Sequence, residues 1–390
     1  MQKQINPKRI GQYLNNAVRA LKAYHNDEPF ANFLRRYFKA NRQMGSKDRR
    51  MLSQYCYGFF RLGGALSGLP IAERIVIGEF LTQQQSDLVT VEKADWVGKL
   101  NLSTAEKLDF LKQEVKLDEN ELFPNLQEVS SLIDKDNFLE SQFSQPLLFI
   151  RVKPGKEAFV RSVLERNNLK IHKQEGATFA LDNRSKLDDI KEIRGLYEVQ
   201  DLSSQKTLDY IPAKDGEFWW DACAGAGGKS LMLLENHPKV NLFLSDIRER
   251  ILENLKVRLK EASIHRGYQI AAVDLLQPIE GMEEEIFDGI IVDAPCSGSG
   301  TWNRTPEMKT QERSLEEFHK LQLRLLNAVL PYLKEQGKLI YITCSVYEKE
   351  NQAVVQSFAK EHNLKVAGEH LIQGFQDSAD TLFIAELSRP

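Results

Sequence analysis

The sequence has few cysteines, and none in the spacing that binds zinc or builds a disulfide framework. Its 390 residues include four cysteines, and no two of them form a Cys-x-x-Cys pair. We therefore expect neither disulfide bonds nor a bound metal. Because free thiols persist in a reducing compartment, the sequence predicts a cytoplasmic protein.

Long apolar stretches are also missing. No run approaches the ~20 residues of a membrane-spanning helix, and residues 1–19 contain no apolar segment of the kind found in secretory signals. We therefore expect neither a membrane span nor a leader. Internal repeats and low-complexity segments are absent from the sequence as well. A chain of this length and ordinary globular composition is expected to fold as two or three domains.

Charge is unevenly distributed along the chain. The formal net charge is −3, but residues 1–62 contain thirteen Lys and Arg against three acids, a local charge of +10. Residues 80–142 are acidic at −7, and residues 151–173 are basic again at +5. Two basic blocks on an acidic protein indicate local sites for a polyanion, although solvated helix faces would produce the same pattern.

The periodicity of apolar residues divides the chain into three predicted domains. Residues 1–142 show helical spacing, and we expect an all-helical domain there. Residues 143–205 combine short strands with one helix and predict a small α+β module. From residue 206 to 390 strands alternate with helices, which predicts an α/β fold with a parallel sheet of the Rossmann-like type. The last predicted strand covers residues 338–342.

A glycine-rich turn follows the first predicted strand of the α/β domain. Residues 221–230 (DACAGAGGKS) join this strand to a helix, and glycines let a backbone approach a ligand closely. Asp246 and Asp274 end the next two predicted strands, where acids can bind ribose hydroxyls and an adenine edge. The turn lacks the spacing of a Walker loop, so S-adenosylmethionine fits better than ATP. A nicotinamide cofactor, or a plain strand–helix turn, would look the same up to this point.

Two cysteines follow predicted strands at the same edge of the sheet. Cys296 lies in residues 292–298 (VDAPCSG) and Cys344 in residues 341–345 (YITCS). A thiolate that adds to carbon 6 of cytosine or uracil makes carbon 5 nucleophilic enough to attack a methyl sulfonium, which is covalent catalysis. Asp293 could hydrogen-bond the ring and stabilise the charge that develops. The other two cysteines fit the simpler interpretation of buried thiols, although one lies inside the glycine turn.

Four segments stand in a fixed order between residues 200 and 355. They are residues 200–205 (QDLSSQ), the glycine turn, residues 293–301 (DAPCSGSGT) with Arg304, Pro306 and Glu307, and residues 343–345 (TCS) with Glu350 and Asn351. Together they resemble the RsmB/Fmu/Sun family of RNA cytosine-5 methyltransferases. The resemblance implies a Rossmann-like, S-adenosylmethionine-dependent methyltransferase domain. One departure is the turn, where this chain has AGAGGK and family members often carry AAPGGK.

The resemblance also implies a role for each candidate site residue. It implies that Cys344 is the nucleophile and that Cys296 assists product release. Asp293 is the third candidate catalytic residue, because of the hydrogen bond that it could make to the ring. The residues that it implies for the S-adenosylmethionine site are Cys223, Ala224, Gly225, Ala226, Gly227, Gly228, Lys229, Asp246, Asp274 and Asp293.

The first 200 residues resemble bacterial members of the same family. Residues 47–50 (KDRR) and 55–61 (YCYGFFR) are similar to part of their helical, NusB-like RNA-binding domain. Residues 146–200 are similar to a small RNA-binding insertion that precedes the catalytic domain. Both regions coincide with the basic blocks. The resemblance therefore implies RNA as the partner, with ribosomal RNA favoured over transfer RNA, and we expect a monomer.

The predicted function is an RNA cytosine-5 methyltransferase that acts through a covalent cysteine–cytosine adduct. Two alternatives stay open. A DNA cytosine-5 methyltransferase would use Cys296 as its nucleophile, and the segment around Cys344 speaks against it. A ribosome-assembly factor would keep the fold and bind RNA without catalysis, and the intact thiols and acids speak against that.

Overall fold

The computed structural model describes residues 5–279 and 281–390, which cluster into two compact units. The helical unit contains the chain up to Val129, together with Ile133–Gln145 and Trp302–Arg313. The sheet unit contains Ser130–Leu132, Pro146–Thr301 and Ser314–Pro390. The sheet unit therefore includes both the small α+β module and the α/β fold.

Seven α-helices make up the described part of the helical unit. The first begins with Pro7, behind the capping residue Asn6, whose side-chain oxygen accepts a hydrogen bond from the backbone N of Arg9 at 3.2 Å. Such a cap satisfies one of the free N–H groups at a helix start. The helices are α1 (Pro7–Ala23), α2 (Phe30–Ala40), α3 (Ser46–Arg61), α4 (Ile71–Thr82), α5 (Asp87–Glu92), α6 (Thr104–Glu114) and α7 (Lys135–Ser141).

The core of the helical unit is rich in aromatic side chains and tightest where α3 crosses α4. Phe30, Tyr55 and Phe80 are fully buried in it. At the crossing, a Cβ atom on Gly78 would lie 2.4 Å from the carbonyl oxygen of Gly58. No side chain can be accommodated at that distance, so this crossing depends on glycine at position 78.

The segment Trp302–Arg313 comes from the second half of the chain and packs within the helical unit. Glu307 Oε1 accepts a hydrogen bond from the backbone N of Phe30 at 3.0 Å. Lys309 Nζ donates to the carbonyl oxygen of Arg61 at 3.3 Å. Glu307 and Lys309 are both almost fully buried. The helical unit is therefore built from two parts of the chain that are far apart in sequence.

The α+β module is a four-stranded antiparallel sheet with one helix against it. Its elements are β1 (Leu148–Val152), α8 (Glu157–Arg166), β2 (Ile171–Glu175), β3 (Thr178–Leu181) and β4 (Tyr197–Val199). The strand order is β2-β3-β1-β4. Ile150 and Val152 lie in the module's own core. Because side chains alternate along a strand, Phe149 and Arg151 face the opposite side.

The α/β fold is a seven-stranded sheet with helices on both faces. Its elements are α9 (Leu202–Lys206), β5 (Phe218–Asp221), α10 (Gly228–Asn236), β6 (Asn241–Asp246), α11 (Glu249–Glu261), β7 (Tyr268–Ala272), β8 (Phe287–Asp293), α12 (Leu315–Val329), β9 (Leu333–Thr343), α13 (Gln352–His362), β10 (Lys365–Gln373) and β11 (Thr381–Ser388). The strand order is β10-β11-β9-β8-β5-β6-β7, and β5 to β9 are parallel. The order reverses at β5, and ligands of such sheets bind beside the carboxyl ends of the strands at this point.

The predicted α/β, Rossmann-like fold is confirmed, and every strand predicted after residue 206 forms. The sheet is not wholly parallel, because β11 runs antiparallel to both β9 and β10. The sequence prediction ended at residue 342 and missed α13, β10 and β11. β10 lies at the sheet edge with most of its side chains partly or fully exposed, so no apolar run marks it.

The front half also departs from the prediction in places. Residues 126–141 were expected to be helical, but they form a short 3-10 turn and α7 with irregular chain between them. α5 was not predicted. The division into residues 1–142, 143–205 and 206–390 stays a prediction, while the structure groups the second and third segments into one unit. In the part of the chain that is described, no helix has the length and apolar character needed to cross a membrane.

Candidate functional site

A cavity of about 580 Å³ lies at the carboxyl ends of the parallel strands. Its volume is in the range of sites for small organic ligands. Every predicted site residue except Gly227 contributes to its lining. These lining residues are Cys223, Ala224, Gly225, Ala226, Gly228, Lys229, Asp246, Asp274, Asp293, Cys296 and Cys344.

The glycine turn has a left-handed backbone at two positions. Gly225 has a φ of +54° and Gly227 a φ of +81°, values that favour glycine. Gly227 precedes α10 and faces away from the cavity, since a Cβ atom there would lie 2.0 Å from Leu255 Cδ1. The structure therefore explains this glycine by packing beneath the turn, whereas its neighbours line the cavity.

Two acids stand where the sequence predicted them, Asp246 as the last residue of β6 and Asp274 two residues after β7. Asp246 accepts hydrogen bonds from the backbone N of Gly225 at 3.0 Å and from the backbone N and side chain of Arg248. Burial alone would raise the pKa of Asp246, but the hydrogen bonds from Arg248 and Gly225 outweigh it and hold the pKa below its usual value. Asp274 accepts a hydrogen bond from the backbone N of Leu276 at 2.9 Å, which fixes the loop after β7.

A third acid, Asp221, lies at the end of β5 under the turn. It is only 2 % exposed, and burial raises its pKa to about 7 even though Ser230 donates a hydrogen bond to it. This carboxyl is therefore partly protonated near neutral pH.

Lys229 and Asp293 form an ion pair across the cavity, with Nζ and Oδ2 2.6 Å apart. Burial alone would lower the pKa of Lys229, but the charge and hydrogen bond of Asp293 outweigh it, so the pKa is raised. Lys229 thus remains a cation and holds the Asp293 carboxylate in a single orientation.

The two cysteines predicted to react meet in the wall of the same cavity. Cys296 Sγ and Cys344 Sγ are 3.4 Å apart, and both thiols are free. The strands that carry them are neighbours, with the backbone N of Ala294 donating to Ile342 O at 2.9 Å. The contact with the Cys344 sulfur, together with burial, raises the pKa of Cys296 well above its usual value. Cys296 is therefore a thiol, not a thiolate, at neutral pH.

Glu350 connects the two loops that follow the cysteines. This fully buried carboxylate accepts hydrogen bonds from the backbone N of Ser297 at 2.7 Å and from its hydroxyl at 2.5 Å. It also accepts from the hydroxyl of Ser345 and, at 3.3 Å, from Gln322 Nε2. Ser297 and Ser345 are the residues directly after the two cysteines. The carboxylate thus fixes the distance between the two loops.

Several lining residues were not found from the sequence. Ile247 comes directly after Asp246, Leu276 lies two residues after Asp274, and both supply apolar wall. Their positions beside Asp246 and Asp274 could have indicated them. Leu325 lines the cavity from α12, and no local pattern distinguishes it from an ordinary core residue. Among the residues that the structure describes, no group of three or more His, Cys, Asp or Glu side chains could hold a metal ion.

Comparison with known sequences identifies relatives of the second half of the chain. A family model described as 16S rRNA methyltransferase RsmB/F matches residues 209–385. Ribosomal RNA small subunit methyltransferase B of Photorhabdus laumondii is 36 % identical over 178 residues, which are 45 % of this chain and 41 % of that protein. The protein of the same name in Pectobacterium atrosepticum is 35 % identical over 204 residues, 50 % of this chain and 47 % of that one. The match spans less than half the length of these curated relatives.

Solved structures share the fold. The crystal structure of PH0851 covers 100 % of both chains with a TM-score of 0.73 and 21 % identity. That of a methyltransferase homolog protein from Pyrococcus horikoshii covers 68 % of this chain and 93 % of that chain, with a TM-score of 0.56 and 21 % identity. At these identities the likeness concerns the fold alone. Residues 209–385 are therefore similar in sequence to the RsmB/F methyltransferase family, and the glycine turn and both thiols lie within this matched segment.

Proposed function

We propose that this protein is an RNA cytosine-5 methyltransferase that uses S-adenosylmethionine, with ribosomal RNA as the first candidate substrate and transfer RNA as the second. The observation that carries the proposal is the pair of sulfur atoms, 3.4 Å apart, in the wall of the cavity that the glycine turn lines. The names of the relatives, ribosomal RNA small subunit methyltransferase B, support RNA as the substrate class.

The cavity fits S-adenosylmethionine as the donor. Asp246 would bind the ribose hydroxyls, because the side chain of Arg248 that now contacts it is 61 % exposed and free to turn outward. Ile247 and Leu276 would flank the adenine, with Asp274 at its edge. When bound, S-adenosylmethionine supplies a methyl group on a positively charged sulfur.

Side chains of the cavity would then carry out the separate steps of the reaction on the base. Cys344 Sγ forms a bond to carbon 6 of the cytosine, and the electron pair displaced from the ring double bond makes carbon 5 nucleophilic. Asp293, held by Lys229, hydrogen-bonds the ring and stabilises the charge that develops there. After carbon 5 has gained a methyl group, a base from solvent takes its proton, and the electron pair of that C–H bond restores the ring double bond. The bond to Cys344 then breaks, and its electron pair stays on the sulfur as a thiolate. Cys296 touches the departing sulfur, so we assign it to this release.

RNA binding would use both basic regions. Of the twelve Lys and Arg among residues 5–62, ten are exposed, which suits contact with phosphates. Arg61 and Arg151 are exceptions, since both are buried and held by protein groups. The target cytosine must be unpaired or flipped out to reach the cavity. We further propose that the protein acts as a monomer in the cytoplasm, where two neighbouring thiols stay reduced.

The first test replaces the nucleophile. We expect Cys344→Ala to abolish methylation of ribosomal RNA and to form no covalent RNA adduct, because it removes the thiol that attacks carbon 6. Transfer of labelled methyl groups and a denaturing gel measure the two effects. Cys56→Ala, at a buried cysteine of the helical unit, is the matched control and should keep full activity. Normal turnover of Cys344→Ala would exclude Cys344 as the nucleophile.

The second test concerns release. We expect Cys296→Ala to form the adduct but to release it slowly, so that a protein–RNA band accumulates on the denaturing gel. If Cys296→Ala formed no adduct while Cys344→Ala did, the roles would be reversed, as expected for a DNA-type enzyme. Parallel assays with matched RNA and DNA oligomers separate the substrate classes. Binding of S-adenosylmethionine without methyl transfer to either RNA or DNA would favour a non-catalytic assembly factor.

A further inference from the structure

The α+β module contacts the glycine turn through two residues that face each other across its sheet. Arg151 in β1 pairs with Glu198 in β4 in antiparallel register, which places both side chains on the same face. That face is opposite to the module's own core. The two side chains are only 9 % and 15 % exposed. Although the sequence counts Arg151 in a basic block, it is not part of a solvated surface.

Glu198 reaches the turn through one intermediate side chain. Its Oε2 accepts a hydrogen bond from Arg258 NH2 in α11 at 2.8 Å. Arg258 NH1 in turn donates to the carbonyl oxygen of Ala226 at 2.5 Å. Ala226 stands between Gly225 and Gly227, the two positions with positive φ. The bond therefore holds the part of the turn that has most conformational freedom.

Arg151 reaches the other side of the turn. Its Nε donates to Gln200 Oε1 at 2.9 Å, and Gln200 Nε2 donates to the carbonyl oxygen of Gly228 at 3.2 Å. The same guanidinium forms a buried ion pair with Glu235 in α10. Since α10 begins at Gly228, Arg151 is connected to both ends of the helix that follows the turn.

These contacts oppose the flexibility of the turn. A segment with several glycines loses more conformational entropy on ordering than any other sequence of the same length. Anchored carbonyls at Ala226 and Gly228 keep the turn in one shape before a ligand arrives, which reduces the cost of binding. Removing one partner of a buried ion pair leaves the other partner unpaired and disturbs whatever it holds.

We propose that the α+β module is a positioning element for the methyl donor, with Arg151 and Glu198 as positioning residues that hold the glycine turn in its binding shape. The inference rests on the proposed function for the identity of the ligand. Because coupling between sites is reciprocal, a ligand of the module that moves these two side chains would change donor affinity, and the donor would change affinity for that ligand.

The test measures donor affinity in full-length variants. We expect Glu198→Gln and Arg258→Met each to weaken binding of S-adenosylhomocysteine in titration calorimetry by about fivefold or more. Lys173→Gln is the matched control. It removes another contact of the module with the α/β fold, the ion pair of Lys173 Nζ and Asp377 Oδ1 at 2.9 Å, which does not touch the turn. Its affinity for the probe should equal that of the wild type.

A double variant and a kinetic measurement separate positioning from general instability. Glu198→Gln combined with Arg258→Met should weaken affinity no more than the stronger single change, because both act through one chain of contacts. At saturating S-adenosylmethionine, kcat should return close to the wild-type value while the donor KM stays raised. If folded Glu198→Gln and Arg258→Met variants bound S-adenosylhomocysteine as tightly as the wild type, this inference would be overturned and the proposed function would stand. Failure of the wild type to bind the probe would overturn the proposed function as well.

Discussion

Glu350 links the two loops that carry the thiols. It accepts hydrogen bonds from the serine that follows each thiol. In the sequence, Glu350 is only one residue of a segment that resembles the RsmB/Fmu/Sun family. Its role follows from two loops that are 48 residues apart at their cysteines and that converge on one carboxylate.

We expect Glu350→Gln to slow methylation without changing donor affinity. An amide has one oxygen where the carboxylate has two, so at least one of the serine hydrogen bonds is lost and the loops separate. A displacement of about 1 Å at reacting groups can lower a rate about a hundredfold. The rate of adduct formation in a single turnover and the affinity for S-adenosylhomocysteine measure the two quantities.

Glu348, an exposed residue near Glu350, provides the control for Glu350→Gln. Glu348→Gln alters a side chain two residues away that faces solvent, and it should leave the single-turnover rate unchanged. Equal rates for wild type and Glu350→Gln, with the same melting temperature, would show that the carboxylate does not position the thiols.

Among the elements, α4 buries one acid among apolar side chains such as Ile75, Ile77 and Phe80. Glu79 is 1 % exposed, and its Oε1 accepts hydrogen bonds from Gln54 and Ser86 at 2.8 and 3.1 Å. Its Oε2 is buried and has no hydrogen-bond partner among the described residues. Burial raises the pKa of Glu79 to about 7, so the helix holds a protonated carboxyl in mildly acidic solution.

Replacement of Glu79 by glutamine should change the pH dependence of stability. Between pH 4.5 and 7 the folded protein keeps a proton that the unfolded chain has lost, so the free energy of unfolding falls as pH rises. Glutamine resembles the protonated acid and carries no such dependence. We therefore expect the stability of Glu79→Gln relative to wild type to be about 2 kcal/mol higher at pH 8 than at pH 5.

Urea denaturation followed by helical circular dichroism at the two pH values measures this difference. Glu92→Gln, at an exposed position of α5, should show no such change with pH. A stability difference for Glu79→Gln that is the same at pH 5 and pH 8 would contradict a raised pKa for this carboxyl.

At the scale of the whole molecule, the helical unit depends on Trp302–Arg313. Trp302 and Glu307 are almost fully buried within that unit, and Asn303 accepts a hydrogen bond from the buried guanidinium of Arg61 through its backbone oxygen at 3.1 Å. Burial lowers the pKa of Arg61 to about 10. Without this segment the buried guanidinium of Arg61 would lose its hydrogen bonds to Asn303, and apolar surface would be exposed to water.

A fragment of residues 1–145 should therefore be much less stable than the helical unit of the full chain. We expect its melting temperature to be lower by about 10 °C or more, as a loss of a few kcal/mol causes in a domain of this size. The matched control joins residues 302–313 to the fragment through a flexible linker and should restore cooperative melting. Equal melting of the fragment with and without these residues would show that they are dispensable for the helical unit.

Local patterns in the sequence were sufficient for most of the elements and for most of the candidate site, although they did not indicate α5, α13, β10 and β11. Helical spacing around Leu14 and Ala17 predicted α1, and short apolar runs ending at Asp246 and Asp293 predicted β6 and β8. Periodicity, turn residues and motif spacing are properties of neighbouring residues, so they can be read without the fold. The same holds for the glycine turn and for the thiols, whose motifs lie directly after strands.

Other features depended on which distant residues pack together. Nothing local distinguishes Arg61 and Arg151, which are buried, from the exposed cations beside them in the basic blocks. Three other features also depend on distant residues. They are the inclusion of Trp302–Arg313 in the helical unit, the antiparallel β10 and β11 at the sheet edge, and the carboxylate of Glu350 between two loops. A charged side chain is stable inside a protein only when distant groups supply its hydrogen bonds. The sequence by itself therefore determined most of the elements and the candidate reactive groups, and only the tertiary structure decided which charges hold them in place.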